Sequence, residues 1–186
     1  MFIKDYILVQ RIKNGDTEAW ETLVDQYYDT IFSYCFRHCY GNRPVAEDLT
    51  QDVFLKLVEN IHNFRFTGKF YNYLFTIAVN TCRNHFTKKR LVEHSIETQA
   101  IPAVPPQATI NLVNQENATR IQKALNQLND GQREAIILKF YYNFKVKEIA
   151  NITSVSVPTA QSRIQQGLKK LKKMLDKEAF EDVQKH

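Results

Sequence analysis

Five side chains able to ligate a soft metal fall at helical spacing in the first half of this chain. Cys35, His38 and Cys39 lie within one turn of each other, and Cys82 and His85 follow at i, i+3. Four such donors meeting in space would make a tetrahedral zinc site. Cys35 and His38, however, also fall on an apolar stripe, where free cysteine commonly serves as a small buried side chain. The sequence alone leaves open whether the five bind metal, no metal or other cofactor is assigned, and a metal assay is the deciding test. Asp48 and Asp52, on successive turns, are a weaker pair of the same kind. No Gly-rich phosphate loop, nucleophile motif or flanking carboxylate pair accompanies them, so no catalytic residue and no enzyme activity are expected.

A second chemistry is written near the C-terminus, in KEIANITSVSVPTAQSRIQQGLKKLKKML. Val146, Ile149 and Ala150 make the inner face of a short helix, and Thr153–Val155 a turn. Ser156 can cap the next helix, and Pro158 falls in its first turn, where a missing N–H costs nothing. Ala160, Ile164, Leu168, Leu171 and Leu175 repeat at helical spacing and are expected to face inward. The other face offers Thr159, Gln161, Ser162, Arg163, Gln165 and Gln166, then lysines beginning at Lys169. Groups that can hydrogen-bond base edges precede cations that can meet phosphate, which is what a recognition helix requires.

A third stretch, FYNYLFTIAVNTCRNHFTKKR, carries Leu74, Ile77, Ala78, Thr81 and His85 on one helical face. Asn72, Thr76, Asn80, Arg83, Thr87 and Arg90 run down another. Phe66, Phe70, Tyr71, Tyr73 and Phe75 cluster at its start. Aromatics beside a cationic groove suit single-stranded nucleic acid, since every base has a face to stack on. Most of these rings are also candidates for the core.

The elements that must hold these groups are helices throughout. The 3.6-residue period predicts helices over 4–13, from Asp16 or Thr17 to the Gly41–Pro44 stop, and over 45–60, 70–89, 118–128, 131–141, 146–152 and 157–177. Trp20, Leu23, Val24, Tyr27, Ile31, Tyr34, Cys35 and His38 form the stripe of the second helix. Ala46, Leu49, Val53, Leu57 and Ile61 form that of the third. Residues 98–115 carry no charge and three prolines, so 92–114 reads as a flexible linker between two small helical domains.

The 186 residues suffice for one domain or two small ones, and no run approaches the roughly 18 apolar residues of a membrane span. Three cysteines and no signal-like start point to a reducing compartment and a cytoplasmic protein. The overall charge of +5 is unevenly spread: residues 1–60 sum to −4, 61–92 to +6 with no acid at all, and 131–186 to +5. Two separate basic regions suggest a polyanion held at two places.

In order and spacing, AEDLTQDVF, then IAVN, then QREA–EIA–SR, the chain resembles the extracytoplasmic function (ECF) sigma factors of the sigma-70 family. The resemblance implies an all-α fold with region 2 in 1–91, a linker in 92–114, and region 4 with a helix-turn-helix in 115–186. It implies docking of Asp48, Gln51, Asp52 and Leu55 on the clamp coiled coil of core RNA polymerase, a further contact with the polymerase flap, and an anti-sigma factor as inhibitor. Promoter DNA is the other implied partner. The −10 element would be met by Phe66, Thr67, Gly68, Lys69, Tyr71, Asn80, Arg83, Lys88, Lys89 and Arg90, with a flipped base bound by the loop and helix. The −35 duplex would be met by Thr159, Gln161, Ser162, Arg163, Gln165, Gln166 and Lys169. Three departures stand out: glutamine at 161 and 166 where relatives often carry arginine, a turn without its usual small residue, and an uncharged linker. The competing reading is a stand-alone helix-turn-helix regulator, which leaves AEDLTQDVF and the aromatic–basic helix without a task.

Overall fold

A computed structural model describes residues 2–66, 69–93 and 112–183, with side chains described for 4–66, 69–88 and 118–176. It is all-helical among the described residues, and no described helix is long and apolar enough to cross a membrane. The chain divides into two compact units, Met1–Pro102 and Ala103–His186.

The first unit holds α1 (Phe2–Lys13), α2 (Thr17–His38), α3 (Arg43–Asn60) and α4 (Phe70–Glu93), with a 3-10 turn at Ile61–Asn63. Local chemistry sets the boundaries. Gly15 takes φ 86 in the turn after α1, and Asp16 caps α2 by accepting from the Ala19 N–H at 3.1 Å. That bond, with the Arg11 guanidinium beside it, holds the Asp16 carboxyl below its ordinary pKa. Asn42 caps α3 through Val45 N–H, with Pro44 in the first turn.

The expected stripes are largely the buried ones. Leu23, Tyr27, Ile31, Tyr34, Cys35 and His38 are buried on α2, with Trp20 and Val24 half-buried at its margin. Ala46, Leu49, Val53, Leu57 and Ile61 are buried on and after α3. Each fully buried aliphatic or aromatic side chain stabilises the unit by about 1.5–3 kcal/mol. Polar cross-ties fix the packing: Tyr27 Oη donates to Asp5 at 2.7 Å, Lys13 Nζ to the Phe64 carbonyl at 2.6 Å, and Lys56 Nζ on α3 to Thr81 Oγ1 on α4 at 3.0 Å.

The second unit comprises α5 (Leu112–Asn126), α6 (Asp130–Phe140), α7 (Val146–Ile152) and α8 (Val157–Val183). Helix α5 starts earlier than periodicity suggested, inside the tract read as linker, and most of that tract lies outside the described residues. Helix α6 is buried for seven consecutive residues, Gln132 to Leu138. The fully buried Arg133 among them is held by Asp130 Oδ1 at 2.6 Å. One expected stripe is corrected. Leu168 is 42 % exposed, and Gly167 takes the inward position after Ala160 and Ile164. A Cβ at Gly167 would stand 2.8 Å from Ile136 Cγ1, so the helices approach where only hydrogen fits.

Candidate nucleic-acid interface

Helix α8 begins as its sequence requires. Ser154 takes φ 54 in the α7–α8 turn, the left-handed role that a glycine commonly fills. Ser156 Oγ accepts from the Thr159 N–H at 3.2 Å, and its hydroxyl pairs with Thr159 Oγ1 at 2.7 Å. Glu148 reaches back to the Lys145 N–H at 2.9 Å and closes the start of α7. With Ala160, Ile164 and Gly167 buried, Thr159, Gln161, Ser162, Gln165, Gln166 and Lys169 are exposed together.

They are not equivalent. Gln166 Oε1 accepts from Gln132 Nε2 at 3.1 Å while its Nε2 donates to Ser162 Oγ at 3.0 Å, so this amide is held against α6. Arg163 is half-buried, its guanidinium at the distance where a Cβ on Gly131 would touch it, 3.0 Å. Gln161 and Gln165 stand out in solvent, with the hydrogen-bonding range to meet base edges.

On α4, Asn80 and Lys88 are exposed and Arg83 is half-buried, whereas Leu74, Ala78 and Thr81 are buried behind them. Ile77 and His85, expected on the same inner face, are half-buried. The aromatic cluster is a connected packing. Phe66 makes edge contacts with Tyr6 and Phe64, each at 4.8 Å, and Tyr73 stacks on Phe64 at 4.5 Å. Tyr71 packs against Tyr27 at 6.1 Å and Phe75 at 4.8 Å, and burial pushes its hydroxyl up to about 12. Phe70 and Phe75 are buried, and Phe66, Tyr71 and Tyr73 keep part of their surface in solvent. Lys69 is exposed, and its carbonyl accepts the Asn72 and Tyr73 N–H groups at the start of α4. Thr67 and Gly68 lie outside the described residues, as do the side chains of Lys89 and Arg90.

Helix α3 presents a third face. Asp48, Gln51, Asp52 and Leu55 are all exposed, Leu55 at 61 %, on the side away from the buried stripe. Sequence reasoning missed Val58, which is 46 % exposed one turn beyond and widens the apolar end of this face. It also missed exposed Phe140 and Tyr141 at the end of α6. Helical phase could have found Val58, three residues past Leu55. Nothing in the hydropathy of α6 distinguishes Phe140 from its buried neighbours.

An all-helical chain of two units, the second ending in a helix-turn-helix whose outer face is amide-rich and basic, has the build of a transcription factor. Residues 23–92 match Sigma-70 region 2, and residues 118–171 match Sigma-70, region 4. The chain is 30 % identical over 181 residues to the ECF RNA polymerase sigma factor SigW of Bacillus subtilis (strain 168), covering 90 % of this chain and 94 % of that one. It is also 30 % identical to the ECF RNA polymerase sigma-E factor of Escherichia coli (strain K12), over 87 % of this chain and 89 % of the other. The fold is similar to that of the sigma factor RpoE, solved in complex with the anti-sigma factor NepR from Bartonella quintana. The TM-score there is 0.68 at 24 % identity, over 84 % of this chain and 96 % of that one. CnrH, solved with the cytosolic domain of CnrY, gives 0.69 at 22 % identity, over 93 % and 97 %. The protein belongs to the ECF sigma factors of the sigma-70 family.

Proposed function

We propose that the chain binds core RNA polymerase in the cytoplasm, directs it to promoters by reading −10 and −35 elements, and supports strand opening without covalent chemistry. The observation that carries this reading is the outer face of α8, where Gln161 and Gln165 stand exposed at the start of the second helix of a helix-turn-helix. Region 2 adds the exposed Asp48–Leu55 face of α3, suited to a basic partner helix such as the polymerase clamp coiled coil. It also adds exposed Asn80 and half-buried Arg83 on α4, the helix whose first turns carry the partly exposed rings of Tyr71 and Tyr73. Thr67, Gly68 and Lys69 complete the proposed −10 pocket. A flipped base costs a few kcal/mol to unstack, which stacking and edge hydrogen bonds there must offset. Exposed Phe140 and Tyr141 offer apolar surface in region 4 for the polymerase flap or for an anti-sigma factor. An anti-sigma partner is inferred from the company the solved relatives keep.

The test is run-off transcription by bacterial core polymerase with and without the protein, on a promoter library with sequenced products. New start sites sharing −10 and −35 sequences are expected. Gln161→Ala should relax the −35 code by about 1–3 kcal/mol at one position, and Asn80→Ala should relax the −10 code. Duplex binding that needs no polymerase, with no new starts, would replace this reading with that of a stand-alone regulator.

A further inference from the structure

Packing in the first unit brings together what the sequence left apart. His38 and Cys39 at the C-terminal end of α2 meet Cys82 of α4, and one donor atom from each lies within 4.8 Å of the other two. Cys35, one turn earlier on α2, places its sulfur 3.9 Å from that of Cys82. Thiolates held 2.3 Å from a common tetrahedral zinc stand about 3.8 Å apart. All four residues are buried, three of them cysteines and one a histidine. The geometry points to a structural zinc site of His38, Cys39 and Cys82 that clamps the end of α2 to α4, with Cys35, close to Cys82 but outside that group of three, drawn in as the fourth ligand when metal binds.

The surroundings are those of a metal core rather than of a reactive thiol. The His38 ring lies 5.7 Å from both Tyr34 and Phe86. Tyr40, in the left-handed region at φ 60 and followed by Gly41 at φ 80, turns back so that its ring meets Phe86 edge-on at 5.8 Å. The donors therefore sit under an aromatic cover that excludes water, the kind of shell that holds ligands in place around a metal. On binding, the thiols release their protons to solvent and the dication neutralises the sulfurs. The ligand set selects zinc over harder cations. His85, paired with Cys82 in the sequence, instead sets its ring edge-on to Phe86 at 5.3 Å, outside the cluster. This inference stands whether or not the transcriptional reading holds.

The experiment uses the full chain, reduced and freed of metal with a chelator, then titrated anaerobically with Co²⁺ and back-titrated with Zn²⁺. Metal in freshly purified protein is counted by mass spectrometry. A single cobalt per chain is expected, with intense sulfur-to-cobalt charge-transfer bands and tetrahedral d–d bands that zinc abolishes. The thermal midpoint of the first unit should rise on zinc binding. Cys82→Ser should weaken cobalt binding by more than about 100-fold, beyond the usual loss for a residue that merely orients a ligand. Glu59→Ala, exposed near the end of α3, should leave it unchanged. Should Cys82→Ser fold poorly, the wild-type spectrum decides alone. Folded, reduced protein that takes up no metal, or cobalt bound without charge-transfer bands, would overturn the site. So would a Cys82 disulfide to Cys35 or Cys39 formed as readily with zinc as without.

Discussion

The two helices with basic faces, α4 and α8, each pack against three helices of their own unit but expose different groups. Helix α4 packs against α2 and α3 and begins inside a web of aromatic contacts, so its polar residues emerge from a rigid slab. Helix α8 packs against α5, α6 and α7 with Ala160, Ile164 and Gly167 buried, and Gln161, Gln165 and Lys169 stand exposed on its outer side while Gln166 and Arg163 are held against α6. The contrast suits the two forms of DNA proposed for them. A splayed base must be matched by fixed stacking surfaces, whereas a duplex groove must be entered by protruding side chains.

The contrast can be broken first at its most buried point. Phe75→Ala removes a ring with no exposed surface and should cost the first unit about 3–5 kcal/mol. Thermal unfolding followed by circular dichroism should then show the second unit melting where it did before. A shared drop would mean that the units do not stand independently. On the other side, Gly167→Ala gains helix propensity but drives a methyl into Ile136, for a net loss of about 1–2 kcal/mol confined to the second unit. Hydrogen exchange on α6 and α8 would localise it.

A pH titration sharpens the comparison further. Tyr27 and Tyr71 have hydroxyls pushed above the ordinary 10.0, chiefly by burial, and for Tyr27 also by the bond to Asp5. A raised folded pKa gives stability that is complete below pH 10 and is lost as pH climbs through the folded value. The first unit should therefore lose stability steadily between about pH 10 and 12, mostly through buried Tyr27 and less through part-exposed Tyr71. Tyr71→Phe should flatten that slope. The smallest effect is expected at the cap of α8: Ser156→Ala should cost about 0.5–1 kcal/mol and loosen the first turn, where Gln161 follows. Amide exchange at Thr159 is the direct readout.

Much of this architecture was legible in the sequence because it depends on local rules. Asp16, Ser156 and Pro158 mark their helix starts through chemistry that acts over three residues. Ala46, Leu49, Val53 and Leu57 are inward because the period of the α-helix leaves them no other side. What failed were contacts between distant elements. Leu168 was read inward because leucine outweighs glycine in any hydropathy pattern, yet the closeness of α6 demands a residue with no side chain at 167. The buried run Gln132–Leu138 has no periodicity to find, since that helix is enclosed on most sides. In the candidate interface the exposed faces of α3 and α8 followed from phase. That Gln166 is tied to Gln132 while Gln161 is not could not be read from a row of glutamines.

The bond between Lys56 and Thr81 joins the immediate neighbours of Leu55 on α3 and Asn80 on α4. In mechanical terms it is a short strut between the two surfaces proposed to meet polymerase and DNA. A partner seated on the outer face of α3 is thereby registered against the outer face of α4 to within the play of one hydrogen bond and the packed side chains around it. The protein need not bend to align what touches one surface with what touches the other. The alignment is built in before either arrives.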